Sequence, residues 1–264
     1  MMTHPHSNRG LNDPYFTAED YAAFTEDKVA NPRFDKDRQK IRDKFLHLHE
    51  VLYPEIRRRG WELHPHWYAP NIVSTWYIGW LKQIWFMKLR YLRSGAQVQD
   101  IESRMGMPRP LDNAETQYTK HPMLDIRLDS EYLAIELLLT DQAWWDAQNL
   151  KNKISCDPKA QGEFITILHS LGHDYVFGGW PDSSRPDLIT TAVDLARGDA
   201  LEDWLSRFEP GYDWLRLGIW YSDKNDYRLS KARVVQEILY RFEQLYTVYA
   251  FLLWTPQNDY RQLR

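Results

Sequence analysis

The chain has 264 residues, of which 43% are hydrophobic and 27% charged, with a net charge of −4 and a pI of about 6.1. This composition is typical of a folded globular protein and excludes a disordered chain. The slightly acidic balance argues against a dedicated nucleic-acid-binding domain, which is usually strongly basic. We therefore expect no duplex nucleic acid as a partner.

Cysteine content and hydropathy indicate in which cellular compartment the protein is expected. A single cysteine, Cys156, allows neither an internal disulfide nor a thiolate metal cage, which fits a reducing environment. The N-terminal sequence MMTHPHSNRGLNDPYF lacks the apolar segment of a secretory signal. No apolar run reaches the roughly 18 residues that a transmembrane helix needs. We expect a cytoplasmic protein of bacterial type that is not bound to a membrane.

Two helices are predicted near the N-terminus. Thr17 has the character of an N-cap, and a short helix should follow over 18–25. A longer helix should begin at Asp35 and end at Gly60, because apolar side chains recur at steps of three and four residues. These side chains are Ile41, Phe45, Leu48, Leu52 and Ile56.

Extended segments are predicted next, over 61–68 and 82–92. The second segment alternates, with Lys88 and Arg90 on one face and mainly apolar side chains on the other. The apolar side comprises Trp85, Met87, Leu89 and Tyr91. A short helix should follow and end at Gly106.

A β-hairpin is predicted over 123–139, with its turn at 129–131. Charged residues alternate with leucine and isoleucine in its first strand. Such alternation is typical of an antiparallel strand with one solvated face. We therefore expect Asp125, Arg127 and Asp129 to face solvent.

The rest of the chain mixes helices and strands, which favours an α+β fold. We expect a single domain over 15–264, with a mainly antiparallel sheet, helices packed on it and a long C-terminal helix, preceded by a flexible tail over 1–14. The remaining predicted elements are helices at 144–154, 159–171, 188–197, 200–208 and 231–253, and strands at 174–180 and from Trp214.

Two histidine pairs are candidate metal ligands, because imidazole is the commonest metal-binding side chain. His64 and His66 would share one face of a strand, while His169 and His173 have the spacing of one helical face. A closed metal site needs three or four ligands, and neither pair has an obvious third. We predict no metal, and keep a metal-assisted hydrolase that uses either pair as an alternative.

Other common catalytic motifs are missing. The sequence contains neither GxxxxGK[ST] nor GxGxxG, so we expect no ATP or NAD cofactor, and no other cofactor is indicated. Asp125, Asp129 and Glu136 lie on the predicted hairpin as in some metal-dependent nucleases. The lysine expected two residues after the last carboxylate is Leu138 here, which argues against that activity.

Aromatic residues are concentrated in WELHPHWYAPNIVSTWYIGWLKQIWFMKLRY, which covers residues 61–91. The segment holds more tryptophan than strand packing requires, and tryptophan is rarely completely buried. We predict an aromatic-lined cleft that binds a small molecule or a peptide, with arginine or histidine orienting a polar or anionic group. The predicted site residues are Trp61, His64, His66, Trp76, Arg90, Trp180 and Asp182. A second alternative is a protein-interaction module with an exposed tryptophan surface.

Two parts of the chain resemble the YktB-like family of uncharacterised bacterial proteins. One is FTAEDYAAF with the following helix IRDKFLHLHEVLYPEI; the other is the order YVFGGWPDSSRP, WLSRF, LRLGIWYSDKND and FEQLYTVYAFL near the end. The resemblance covers about half of the chain. The chain departs from the family pattern in two places. WYIGWLKQIWF stands where the family has a basic-glycine-aromatic stretch before a proline-histidine pair, and Trp180-Pro181-Asp182 stands where the family has an Asp-His. It implies a single α+β domain and no established activity.

Overall fold

The structure is a computed structural model that describes residues 10–65, 72–78, 83–106, 118–178 and 188–261, without the side chains of residues 75–78 and 118. Within these ranges the chain forms eight α-helices and one eight-stranded sheet. The predicted α+β class with a mainly antiparallel sheet is confirmed.

The helices and strands are numbered separately in chain order. The helices are α1 (Ala18–Ala22), α2 (Asp35–Arg58), α3 (Gly95–Arg104), α4 (Trp144–Cys156), α5 (Pro158–Leu171), α6 (Ala192–Leu195), α7 (Ala200–Arg207) and α8 (Val234–Leu252). The strands are β1 (His64–Pro65), β2 (Val73–Ile78), β3 (Gln83–Leu92), β4 (Met123–Leu128), β5 (Leu133–Leu139), β6 (Val176–Gly178), β7 (Thr190–Thr191) and β8 (Leu215–Tyr221).

The sheet has the strand order β1-β3-β4-β5-β8-β6-β7, and β2 pairs with β3 as well. All of these pairings are antiparallel. The central strands β3, β4, β5 and β8 are in register so that Arg90, Asp125, Glu136 and Gly218 form one row across the sheet. Side chains in such a row lie on the same face.

Helices α2 and α8 pack on one face of this sheet. The predicted apolar stripe of α2 is confirmed, since Ile41, Phe45 and Leu52 are each fully buried in the main core. Gly60 follows α2 with a φ of 69°, a left-handed conformation that suits glycine and ends the helix where it was predicted. No helix in the described ranges is both long and apolar enough to span a bilayer.

The N-terminal segment contacts the start of α8 through backbone hydrogen bonds. The amides of Lys231 and Ala232 donate to the carbonyls of Asp13 and Leu11, over 2.9 and 3.0 Å. The amide of Tyr15 donates to Leu229 at 2.9 Å. Residues 11–13 of the predicted flexible tail are therefore held by hydrogen bonds, and residues 1–9 lie outside the description.

Candidate functional site

The face of the sheet opposite α2 and α8 carries charged side chains. We call them the charged layer: Lys88 and Arg90 of β3, Asp125 and Arg127 of β4, Glu136 of β5, and Arg216 of β8. All six are buried, with exposed fractions between 0% and 8%. The residues that alternate with them along the strands belong to the main core.

The expectation that Asp125 and Arg127 face solvent is wrong: they are 0% and 6% exposed. Asp129 is partly buried. Alternation shows only that the two faces of a strand differ in polarity, and it does not show what covers the polar face. A buried charge is costly unless it is paired and hydrogen-bonded, so the contacts within this layer matter.

Arg90 of β3 and Asp125 of β4 lie opposite each other and form a bidentate ion pair. The Arg90 Nε and Nη2 atoms donate to the Oδ1 and Oδ2 atoms of Asp125, each over 2.8 Å. Burial opposes ionisation of Asp125, but the charges of Arg90 and Lys88 outweigh it, and the pKa of this carboxyl lies below its usual range. Asp125 is therefore ionised at neutral pH.

A second ion pair joins Arg127 to Glu136, from Nε to Oε1 over 3.1 Å, and Arg127 also contacts Asp129. Burial lowers the pKa of Arg127, but the charges of Glu136 and Asp129 outweigh it and raise the pKa above its usual value. The Glu136 Oε2 atom lies 3.9 Å from Arg216 Nη1 and has no hydrogen-bond partner among the described residues. The layer thus contains a buried acceptor atom with an unused lone pair.

Gly218 is the residue that lets β8 lie close to Glu136. A Cβ atom at this position would lie 2.5 Å from the Ile135 carbonyl oxygen and 2.7 Å from the Cα of Glu136. Separations this short do not occur between packed atoms, so a larger residue would force the strands apart. Gly218 therefore allows β8 to pack directly against the backbone of β5 at Glu136.

Lys88 is not hydrogen-bonded to the nearest carboxylate of the layer. Its Nζ atom lies 3.6 Å from Asp125 Oδ2, longer than a hydrogen bond, and 5.2 Å from the centre of the Phe86 ring. Burial and the neighbouring charges of Arg90 and Arg216 lower the pKa of Lys88 to about 7, although Asp125 and Glu136 act in the opposite direction. At neutral pH this amine is therefore poised between its charged and neutral forms.

The titration of Lys88 makes stability depend on pH. The unfolded chain, with a lysine pKa near 10.4, binds more protons than the folded chain between about pH 7 and 10, so this residue raises the free energy of unfolding as pH rises through that window. Urea unfolding at pH 6, 7, 8 and 9 measures this effect. We expect the free energy of unfolding of the wild type, relative to that of Lys88→Met, to increase with pH over this range. A difference that is independent of pH would contradict this.

The predicted site residues are not brought together. Arg90 lies in the charged layer, whereas Trp61 is buried and its ring stacks on Tyr246 of α8 at 5.6 Å. His64 lies in β1, and its Nδ1 atom is 3.4 Å from the hydroxyl of Tyr53 in α2. Trp61 and His64 therefore contact the helices, while Arg90 lies on the opposite face of the sheet.

Other predicted site residues fall outside the described structure. Trp76 belongs to β2, but its side chain is not described. His66, Trp180 and Asp182 lie outside the described residues altogether. The predicted aromatic cleft thus remains a prediction at these positions.

The second histidine pair does not share a helical face. Helix α5 ends at Leu171, and Gly172 has a φ of 82°, so His169 and His173 lie on either side of the helix end. Both are exposed. Across the described ranges, no group of three or more His, Cys, Asp or Glu side chains is arranged to hold a metal ion.

The predicted tryptophan surface has one exposed ring in the described part of the chain. Trp144 is 40% exposed, while Trp145, Trp204 and Trp254 are buried. Gly211 lies beside Trp144 and is followed by Tyr212, which is 82% exposed. The interaction-module hypothesis therefore rests on this small patch and stays a prediction.

Another buried polar cluster connects β3, α3 and α4. Arg93 donates to both Asp146 oxygens, over 2.5 and 2.9 Å, and to His121 Nδ1 over 3.2 Å. Because arginine is only a donor, His121 Nδ1 must accept, and its proton is on Nε2, 3.6 Å from Glu102 Oε1. Arg93 also donates to the Trp254 carbonyl at 3.0 Å. The cluster thus ties the C-terminal segment to the end of β3.

Sequence reasoning selected Arg90, considered Glu136 only for a nuclease activity that it argued against, and did not select Lys88 or Arg216 as site residues. One feature of the sequence could have indicated the charged layer. Lys88 and Arg90 occupy every second position of β3, and Asp125 and Arg127 do so in β4. Two adjacent strands with charges at alternate positions on one face predict cross-strand ion pairs. The position of Arg216 depends on the register of β8 and has no such local signal.

Comparisons with known proteins provide no family. A scan against models of protein families finds no match to this chain. A search of curated proteins likewise finds no relative. The resemblance to the YktB-like family remains a prediction.

Proposed function

We propose that the charged layer binds a small anionic molecule, with Lys88 as the side chain that contacts its negative group. The supporting observation is the position of Lys88. It is 8% exposed, and Asp125, the nearest carboxylate, is already engaged by both prongs of Arg90. A buried ammonium group in this position gains from an additional hydrogen-bonded anion.

Charge and chemistry point to a carboxylate or phosphate group. The layer contains four basic and two acidic side chains, all buried. Arginine binds both kinds of anion through parallel hydrogen bonds, and lysine binds them as a point charge. This proposal moves the site from the helix-covered side to the charged layer, where Lys88 contacts the anion and Arg90 is paired with Asp125.

Aromatic side chains border the layer, as expected for a small-molecule site. The ring of Phe86 lies within 5.2 Å of Lys88 Nζ and 5.6 Å of the Arg127 guanidinium carbon. The ring of Trp214 lies 5.5 Å from the Arg216 guanidinium carbon. Both rings are partly exposed and offer apolar surface to the non-ionic part of a ligand.

Binding to Lys88 should be coupled to proton uptake. An anion stabilises the protonated amine, so it binds more tightly below the pKa of Lys88 than above it. We expect acetate or inorganic phosphate, exchanged for chloride at constant ionic strength, to raise the free energy of unfolding more at pH 6 than at pH 9. An anion at a hundred times its Kd adds about 2.7 kcal/mol.

The test compares Lys88→Met with Lys40→Met in urea unfolding. Lys40 pairs with Asp37 on the surface of α2, so its loss removes a similar charge without touching the layer. We expect stabilisation by the anion to be lost in Lys88→Met and kept in Lys40→Met. Equal stabilisation of both variants, or none of the wild type by either anion, would refute the proposal.

A further inference from the structure

We infer that Trp145 and Trp254 form a cage for a guanidinium group, and that the chain's own Arg261 occupies this cage in place of a small molecule that carries such a group. The cage is built from α4 and from the segment that follows α8, so none of its residues belongs to the charged layer. This second site is therefore independent of the proposed anion site, and it takes a ligand of the opposite charge.

The two indole rings of the cage meet almost at a right angle. Their centroids are 5.6 Å apart, and the ring planes of Trp145 and Trp254 are inclined by 78°. Both rings are buried in a small apolar cluster with Ile101, against which Met105 packs. Two rings at such an angle can both face one cation, and indole is the aromatic group that attracts a cation most strongly.

Arg261 shows which chemical group fits the cage. Its guanidinium carbon lies 3.3 Å from the centre of the Trp145 ring and 4.9 Å from that of Trp254. The carboxylate of Asp259 accepts from Arg261 Nε and Nη2, over 2.8 and 2.7 Å. Aromatic faces and a carboxylate that accepts two hydrogen bonds are the groups that recognise a planar guanidinium ion. The ligand class is therefore a guanidinium compound.

Tyr260 holds the segment that carries Arg261 against α4. Its amide donates to Asn149 Oδ1 over 2.8 Å, and its carbonyl accepts from Asn152 Nδ2 over 3.0 Å. Its hydroxyl donates to Asp157 Oδ2 over 2.9 Å. None of these contacts involves the Arg261 side chain, so we expect the cage to persist when that side chain is removed. Because the Arg261 side chain is 16% exposed, its removal opens the cage to solvent.

Fluorine-19 NMR of the full chain labelled with 5-fluorotryptophan tests the inference, with Trp145→Phe and Trp254→Phe to assign the two signals. Methylguanidinium is added in exchange for sodium, below concentrations that unfold the protein. We expect both signals to shift saturably in Arg261→Ala. The apparent Kd should be at least about tenfold higher in the wild type, where the tethered guanidinium competes. Tetramethylammonium has the same charge but is not planar, so it should bind more weakly; equal binding would overturn the assignment to a guanidinium compound.

Arg59→Ala is the matched control, because it removes a guanidinium group whose carbon lies 5.0 Å from the centre of the Trp61 ring. We expect methylguanidinium to leave the Trp61 signal of this variant unshifted. Arg261→Lys keeps a cation that cannot stack flat on indole, so its apparent Kd should lie between those of the wild type and Arg261→Ala. If Arg261→Ala does not fold, the lysine variant and the wild type are compared instead. The same Kd in all folded forms, or no saturable shift in any of them, would refute the cage.

Discussion

Asp125→Asn is expected to lower the free energy of unfolding by about 3–5 kcal/mol, the cost of removing one partner of a buried ion pair. Asp125 is 0% exposed, and its carboxylate receives two hydrogen bonds from Arg90 and faces Lys88 at 3.6 Å. The asparagine fits the space but leaves Arg90 without its charge partner. Equilibrium unfolding in urea at pH 7 measures the loss.

The control for Asp125→Asn is Asp37→Asn. Asp37 pairs with Lys40 over 2.8 Å on the surface of α2, with about half of its side chain exposed. Such surface pairs contribute about 0–1 kcal/mol. If Asp125→Asn costs no more than Asp37→Asn, the Arg90–Asp125 pair does not stabilise the charged layer as its geometry indicates.

Gly218→Ala is expected to destabilise the protein by about 1–3 kcal/mol, the range for inserting atoms into a packed interior. The added Cβ would lie 2.5 Å from the Ile135 carbonyl oxygen and 2.7 Å from the Cα and Cβ atoms of Glu136. Two of these atoms belong to the backbone of a central strand, so they cannot rotate away. Urea unfolding gives the change, with the m-value checked for a two-state transition.

Gly162→Ala is the matched control in α5. A Cβ atom at Gly162 meets nothing within 4 Å. Alanine also has the higher helix propensity, by about 0.8–1 kcal/mol. We expect this variant to be as stable as the wild type or more stable. A Gly218→Ala variant that behaves like Gly162→Ala would show that β5 and β8 have space to spare beside Glu136.

Several elements of the fold followed from local patterns in the sequence, whereas β2 and β7 were not predicted. The apolar stripe of α2, the hairpin of β4 and β5 and the glycine at the end of α2 were all predictable, because periodicity and turn chemistry act over a few residues. The bounds of α2 were predicted within two residues, since Asp35 begins it and Gly60 follows its end.

The candidate site was harder to predict because it depends on non-local packing. Asp125 and Arg127 have the pattern of a solvated face, and only the pairing of β3, β4, β5 and β8 shows that they lie among other buried charges. His169 and His173 have helical spacing, but the helix ends between them. The spacing of two residues along the chain predicts that they share a face only if both residues belong to the same helix or strand.

A buried charged layer is an uncommon solution for the second face of a sheet. Apolar residues of similar size often stabilise such a position equally well or better. Arg90 and Asp125 satisfy each other, whereas Lys88 keeps a longer contact and Glu136 an unused oxygen atom among the described residues. Imperfectly satisfied groups inside an otherwise paired layer are those that a ligand can complete.

The protonation state of Lys88 is the most direct test of this site, and it can be observed by NMR. Lysine labelled with carbon-13 at Cε reports the charge of its own amine, and Lys88→Arg assigns the signal. We predict a midpoint near pH 7 for the free protein, which moves to higher pH when acetate or phosphate binds. A Lys88 signal that titrates near pH 10.4, as an exposed lysine does, and does not respond to either anion would contradict the proposed site.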